Sequence, residues 1–316
     1  MKITYFSEGG FNGKMPRNNP NLRMPEVWYA SNDAPHYPIN QIHTIPNDSY
    51  DLGIIIIPKN LKHLLDYPIV TEMKRSCKKI AFQQEGASWI FQDYEINVQI
   101  WFYTLMMEMD FGLCHNDIDK TYYEGILNKP MYIQPTLLLE EPLKGLIRKP
   151  TSNKVMVGGN LVRYYGGFNS YLVAQEFNAE IWAPSMGRKK SSESQLEDLN
   201  HLPWLLWNEW MIALSEMKYA VHLNPNTIAG SFYLNCAYWG IPCIGNINTN
   251  TQRICFPSLS VEPGDIKTAM MLANKLSTDQ EFYDECVIDA KLGYTKFNEE
   301  NYVKTMNSIF IKEGIQ

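Results

Sequence analysis

The chain has 316 residues, of which 45% are hydrophobic, 20% charged and 13% aromatic, and its formal net charge is -6. That apolar fraction excludes a mostly disordered chain, and the acidic balance excludes a general polyanion binder while leaving room for a local basic patch. The length is about twice that of a typical domain, so two lobes of roughly 150 residues are expected.

The N-terminus, MKITYF, has no basic segment followed by an apolar run, and the longest purely apolar stretch, about Ile54 to Ile57, is far short of the ~20 residues of a spanning helix. Six cysteines occur with no C-x-x-C and no Cys/His zinc spacing, the pattern of buried thiols in a reduced compartment. A cytoplasmic protein with no membrane span is the expectation.

In chain order, strands and helices alternate. Lys2–Phe6 reads as a short strand ending in Ser7-Glu8-Gly9-Gly10. The β-branched run Asp51–Ile57, closed by Pro58, reads as a central parallel strand buried on both faces. Lys79–Gln83 is another strand, followed by Gln84-Glu85-Gly86. Gln99–Met109 has helical spacing, Phe111–Cys114 is a strand, Asn116 is placed to cap the next helix, and Met131–Ile133 is a strand. Residues 140–153, with two prolines, a glycine and several charges, form the linker candidate. The pattern then restarts: strand Lys154–Gly158, helix Asn169–Glu176, strand Glu180–Ala183, a polar loop over 189–201, and helix Pro203–Met217. Strand Tyr219–Leu223, helix Ser231–Tyr238 and strand Ile241–Ile244 follow, then helices over Asp265–Leu276, Asp279–Lys291 and Glu299–Phe310.

Alternation on both sides of a linker predicts an α/β protein of two Rossmann-like, doubly wound lobes facing a cleft. The lobes are expected over 1–145, with 295–316 crossing back to it, and over 152–294. Ligands of such sheets bind outside the carboxyl ends of the strands. The residues there include Glu8-Gly9-Gly10, Gln84-Glu85-Gly86 and His115-Asn116-Asp117 in the first lobe. In the second they include Gly158-Gly159-Asn160, Gly187-Arg188-Lys189, Asn224 to Ser231, and Gly245-Asn246. Glycines there let backbone approach a ligand closely.

The sharpest segment is Asn224–Asn246, NPNTIAGSFYLNCAYWGIPCIGN. Gly230 and Ser231 open a helix after a strand, where free N–H groups, a hydroxyl and the helix dipole converge on an anion such as a diphosphate. Arg188, Lys189 and Arg253 are candidate cationic partners. The chain has neither G-x-x-x-x-G-K-[ST] nor G-x-G-x-x-G after its first strand, which removes a P-loop and weakens dinucleotide binding.

This segment resembles the donor-binding region of GT-B-fold glycosyltransferases. In their large retaining branch a small-residue loop, a helix and x-G-x-P-V-I follow in this order, and Gly240-Ile241-Pro242-Cys243-Ile244 matches the last piece. Residues 115–124, HNDIDKTYYE, look like an element of that branch's first lobe, and Gly187-Arg188 looks like its phosphate-contacting basic position. The resemblance implies a nucleotide-sugar co-substrate, most readily a UDP-sugar, with Gly159, Arg188, Lys189, Asn224, Gly230, Ser231, Asn235 and Arg253 as donor-binding candidates. Of the branch's two glutamates separated by seven residues, the second, which holds the donor ribose, falls on Asn235, and no Glu occurs between 217 and 261. A divalent metal is not required by the fold.

An inverting transfer needs a general base near the acceptor hydroxyl. Glu85 is the first candidate, Asp93 the second and Glu8 the third, with His115 a further candidate at a helix start; in a retaining transfer Glu85 would only orient the acceptor. His222, within an apolar strand, reads as a packed core histidine.

The charge map bears on the acceptor. Residues 1–79 carry ten Lys/Arg against seven Asp/Glu, whereas residues 80–149 carry five against ten. The stretch 13–28, GKMPRNNPNLRMPEVW, joins Lys14, Arg17 and Arg23 to asparagines and Trp28, a mixture that suits phosphates with a stacked base and equally a saccharide. Gly9, Gly10, Lys14, Arg17, Arg23 and Trp28 are therefore acceptor-binding candidates. Size and segments such as QEGASWIFQDY also look similar to phage-encoded glycosyltransferases, some of which modify hydroxymethylated pyrimidines in double-stranded DNA after flipping the base out. That resemblance implies DNA as acceptor; a saccharide, a lipid or a small molecule, or nucleotide-sugar epimerisation, are the alternatives.

Overall fold

The expected strands assemble into two separate sheets. The structure is a computed structural model; it describes residues 1–9, 11–59, 64–149, 151–184 and 191–315, the side chain of Arg163 excepted. Contacts divide the chain into one unit of residues 1–19, 23–135 and 299 onward, and a second of 20–22 and 136–298.

The first unit has strands β1 (Ile3–Ser7), β2 (Gly13–Lys14), β3 (Pro35–Pro38), β4 (Tyr50–Ile56), β5 (Cys77–Gln83), β6 (Phe111–Cys114) and β7 (Met131–Ile133). They lie in the order β2-β3-β1-β4-β5-β6-β7, parallel throughout except for the short β2 against β3. Its helices are α1 (Glu26–Ser31), α2 (Ile69–Ser76), α3 (Ile96–Met107) and α4 (Asp117–Leu127). The β4 run is buried on both faces, as its unbroken Ile sequence requires: Ile55 joins Phe6, Ile80, Phe82, Phe102 and Tyr123 in one core. On the opposite face Tyr5 packs with Tyr29, and Asn32 Nδ2 donates to the hydroxyls of Tyr5 and Tyr302, each at 2.9 Å. Asn116 caps α4 as expected, its side chain accepting from the Asp119 N–H at 2.8 Å.

Two features of this unit differ from the expectation. The stretch 13–28 is not only a loop, because it contains β2 and opens α1 at Glu26. A proline followed by an acid is a helix-start signal, and here it precedes the apolar residues Val27 to Ala30, all buried. The local basic balance is also largely matched by carboxylates among the described residues. Lys14, Arg17, Lys59, Lys74, Arg75, Lys78 and Lys79 each pair with a carboxylate of the same unit, Arg17 with Glu299 at 2.6 Å through two parallel bonds.

The second unit has β8 (Lys154–Val157), β9 (Glu180–Pro184), β10 (Leu199–Leu202), β11 (Tyr219–His222), β12 (Cys243–Asn246) and β13 (Ser260–Val261). All are parallel, in the order β10-β9-β8-β11-β12-β13. Read in chain order this is 3-2-1-4-5-6, the doubly wound arrangement with a switch point between its first and fourth strands, here β8 and β11. Helices α5 (Gly167–Ala174), α6 (Trp207–Ser215), α7 (Ser231–Trp239), α8 (Asn250–Cys255), α9 (Ile266–Thr278) and α10 (Gln280–Tyr294) complete it. The chain then returns to the first unit in α11 (Glu299–Lys312).

Residues 191–201 are not a loop throughout: a 3-10 turn covers Ser191–Gln195 and β10 begins at Leu199. The polar sequence hid this edge strand, which the buried pair of His201 Nε2 and Glu193, 2.8 Å apart, helps to hold. β12 begins two residues later than its apolar run. Gly240 takes a left-handed conformation and the Ile241 N–H bonds back to the Cys236 carbonyl, so Ile241-Pro242 closes α7 instead. The stretch 140–153 is tied to the second unit, where Lys149 pairs with Glu216 at 2.6 Å.

Candidate functional site

At the switch point of the second unit, Gly158 follows β8 and lies flush against the ring of His222 at the end of β11. A Cβ at Gly158 would stand 2.5 Å from that ring, so the two strand ends meet only because this residue is glycine. His222 is packed between Gly158, Phe232 and Tyr233, and burial pulls its pKa down to about 4, so it is neutral there as expected of a core histidine. Gly159 follows with φ +74°, and Asn160 is buried with no partner for its Nδ2 among the described residues.

From β11 the chain runs through Asn224 to Gly230 into α7. Asn224 is fully buried; its Oδ1 accepts from the Asn226 N–H at 3.0 Å, its carbonyl accepts from Asn246 Nδ2 at 2.8 Å, and its own Nδ2 has no partner among the described residues. Gly230 has φ +80° and ψ 28°, a left-handed residue directly before Ser231, which is exposed at the first position of α7. A left-handed residue followed by helical ones points successive N–H groups into one concavity, and the helix dipole adds positive potential there. The helix start is of the kind the sequence suggested. A cavity of about 110 Å³ lies at the ends of β11, β12 and β13, lined by Asn169, Leu223, Asn246, Val261, Glu262 and Asp265.

The other expected donor residues fall differently. Asn235 is 8% exposed, and in the orientation that satisfies its neighbours its amide bridges the Ser231 carbonyl and Trp210 Nε1, both at 3.3 Å. It fastens α7 to α6. Arg253 is exposed on α8 and donates to Asn250 Oδ1 at 2.9 Å. Arg188 and Lys189 lie outside the described residues.

In the first unit the carboxyl ends of β5 and β6 carry Glu85 and His115. Glu85 pairs with Lys59 at 3.1 Å, its side chain about one-third exposed. A second carboxylate, absent from the candidates the sequence suggested, belongs with it: Glu26 at the start of α1. Burial pushes the Glu26 pKa up to about 7; the charge of Glu85 adds to that, while its own backbone N–H and Arg23 oppose it. The only signal for Glu26 in the sequence is a lone acid between Pro25 and an apolar run, which reads as a helix start and says nothing of a second acid across the fold.

His115 lies flat against Trp28, and its Nδ1 faces the Gln134 carbonyl at 3.3 Å, so that nitrogen carries the proton. Burial lowers its pKa to about 4. Trp28 itself is fully buried, so its ring is core and not the exposed stacking surface expected. Glu8 and Gly9 are exposed after β1, where Ser7 Oγ donates to the Gly9 carbonyl at 2.8 Å. Asp93 is exposed at the end of the 3-10 turn Ser88–Asp93. Tyr94, next to it, donates to the Lys59 carbonyl at 2.7 Å; burial raises the Tyr94 pKa, and the charges of Glu8 and Asp93 add to it against Lys59. Lys14 and Arg17 are committed to Asp33 and Glu299. Burial lowers the Arg23 pKa, opposed by Glu26. Gly10 lies outside the described residues. Among the described residues no group of three or more His, Cys, Asp or Glu is arranged to hold a metal ion, and no helix is long and apolar enough to cross a membrane.

Two doubly wound parallel sheets in one chain, with a helix N-terminus at the switch point of the second, define the GT-B fold of glycosyltransferases. The solved structures make the likeness particular. The alpha-glucosyltransferase (AGT) in complex with UDP superposes with a TM-score of 0.66 at 11% identity, over 98% of this chain and 100% of that one. An alpha-glucosyltransferase in complex with UDP and a 13-mer DNA containing a HMU base gives 0.64 at 11%, over 98% of both chains. The pneumococcal O-GlcNAc transferase GtfA in complex with UDP and GlcNAc gives 0.60 at 9%; the match covers 84% of this chain but only 57% of that longer one. At these identities the likeness is one of fold. No protein-family model and no curated protein matches the sequence.

Proposed function

We propose that the protein transfers a sugar from a nucleotide-sugar donor, most readily a UDP-sugar, to a hydroxyl acceptor. The observation that carries this is the left-handed Gly230 before Ser231 at the switch point of a 3-2-1-4-5-6 sheet, an anion site where such sheets bind their ligands. The N–H groups there hold the donor diphosphate. As the bond from the sugar's anomeric carbon to the phosphate oxygen breaks, they also stabilise the negative charge left on the nucleoside diphosphate. Arg188 and Lys189 are proposed from the sequence to share that charge, and Arg253 to lie within reach of it.

The acceptor's hydroxyl oxygen forms the new bond to the anomeric carbon, and its proton must leave. Glu85 accepts a hydrogen bond from that hydroxyl and orients it. Glu26, with a pKa of about 7, is half-ionised near neutral pH and is matched to receive a proton.

For the acceptor, a hydroxymethylated pyrimidine in double-stranded DNA is the first reading, supported by the end-to-end likeness to an alpha-glucosyltransferase bound to DNA. A small neutral hydroxylic acceptor such as a saccharide is the second, favoured by the internal pairing of seven cations in the basic N-terminal stretch.

The first test is thermal-shift screening against UDP, GDP, ADP, CMP and their sugar conjugates, since a ligand bound only by the native state raises the melting temperature. A shift with one nucleotide defines the donor; no shift with any removes the transferase reading. Transfer of radiolabelled sugar to hydroxymethylated DNA, unmodified DNA and oligosaccharides then decides the acceptor. Label appearing only in oligosaccharides would remove the DNA reading.

A further inference from the structure

Three side chains grip carbonyls of the loop before α7. Thr251 Oγ1 donates to the Gly230 carbonyl at 3.0 Å, and that oxygen also accepts from the Leu234 N–H at 3.2 Å. Thr136 Oγ1 donates to the Ala229 carbonyl. At the root of the loop, Asn246 Nδ2 holds the Asn224 carbonyl. Thr251 is fully buried and Thr136 is 4% exposed, so neither hydroxyl is a surface ornament.

In a trans peptide the N–H points opposite to its C=O. Fixing the Ala229 carbonyl therefore fixes the direction of the Gly230 N–H, and fixing the Gly230 carbonyl fixes that of the Ser231 N–H. These are the first two donors of the concavity made by the left-handed Gly230. Without the Thr136 hydroxyl the Ala229 peptide plane could rotate, and without that of Thr251 the Gly230 plane would be held by the Leu234 N–H alone, so part of the concavity would have to be ordered at the moment of binding. Preorganised donors avoid that cost.

We propose that Thr136 and Thr251 are positioning residues that aim the Gly230 and Ser231 N–H groups at the diphosphate of the donor. The assignment rests on the nucleotide-sugar reading, and it adds two residues that touch the ligand only through the backbone they hold. It also accounts for the threonine at the start of α8: a Cβ added at Gly230 would fall nearest to Thr251 Oγ1, so hydroxyl and glycine are fitted to one another.

Titration calorimetry with UDP and with uridine separates the diphosphate from the base. Thr251→Val and Thr136→Val each remove a hydroxyl while keeping the branched shape, and Thr251→Ser restores it. Each Val variant is expected to bind UDP about tenfold more weakly, Thr251→Ser to stay within about twofold of the wild type, and uridine binding to be unchanged in all. Val variants that bind UDP as the wild type does would overturn the proposal, as would equal losses for UDP and uridine. If Thr251→Val does not fold, Thr136→Val carries the same comparison. A wild-type protein that binds no UDP would instead overturn the donor reading beneath it.

Discussion

Trp28 and His115 are stacked, with ring centroids 5.0 Å apart and planes 17° from parallel. The contact joins α1 to the end of β6 and keeps the imidazole away from water, which is why its pKa falls to about 4. Trp28→Ala is expected to cost about 3–5 kcal/mol of stability, the range for truncating a buried aromatic residue. It should also let the His115 pKa rise toward the ordinary 6.5. Urea unfolding gives the first quantity and an NMR titration the second. A His115 that still titrates near 4 would show that the tryptophan is not what keeps it dry.

The pH dependence of stability carries the signature of Glu26. Its folded pKa of about 7 lies above the ordinary 4.5, so between these values the folded chain binds a proton that the unfolded chain has lost. That contribution to stability is complete below about 4.5 and is lost as pH rises to about 7. His115 and His222 act oppositely: at about 4 they lie below the ordinary 6.5, so their contribution is present above 6.5 and lost as pH falls toward 4. Glu26→Gln should therefore make the unfolding free energy climb more steeply across about pH 4.5 to 6.5. A slope equal to that of the wild type would mean that Glu26 titrates as an ordinary carboxyl.

Gly230→Ala puts a Cβ on a backbone at φ +80° and onto the Thr251 hydroxyl. The strained conformation costs about 1–3 kcal/mol if it is retained. If the loop relaxes instead, the N–H groups turn away. Either way the thermal shift produced by the donor nucleotide should disappear, and an undiminished shift would place the diphosphate elsewhere.

Gly158→Ala tests the junction of β8 and β11. The added methyl would stand 2.5 Å from the His222 ring, which is already packed against Phe232 and Tyr233. Overpacking of this kind costs about 1–3 kcal/mol. The melting temperature should fall, and His222→Ala in the same chain should recover part of the loss by making room for the methyl. No recovery would locate the damage outside this contact.

Arg17 and Glu299 form a two-pronged pair at 2.6 Å with both side chains about one-third exposed. Arg17→Ala should therefore lower stability by no more than about 1 kcal/mol. If the acceptor is DNA, the variant should leave the slope of log affinity against log salt unchanged, because a guanidinium held by a carboxylate releases no phosphate counterion. A slope reduced by about one would show that Arg17 leaves Glu299 for a phosphate.

Local pattern alone specified much of this protein. The Ile run of β4, the Asn116 cap and the Gly-Ser opening of α7 are dictated by side-chain shape and by backbone groups a few residues apart, so they were legible in the sequence. Glu85 was legible as a strand-end carboxylate. What only the tertiary structure decided are relationships between distant residues. Glu26 and Glu85 are 59 positions apart in number, and only folding brings their charges within influence of one another. Composition counted the cations of the first 79 residues but could not count their partners, and Arg17 finds its own at Glu299. Trp28 looked like a stacking ring because cations and asparagines precede it over 13–23, and it is core because α1 turns it onto His115. Burial and charge pairing are properties of packed neighbours in space, which a linear pattern cannot encode beyond a few turns of chain.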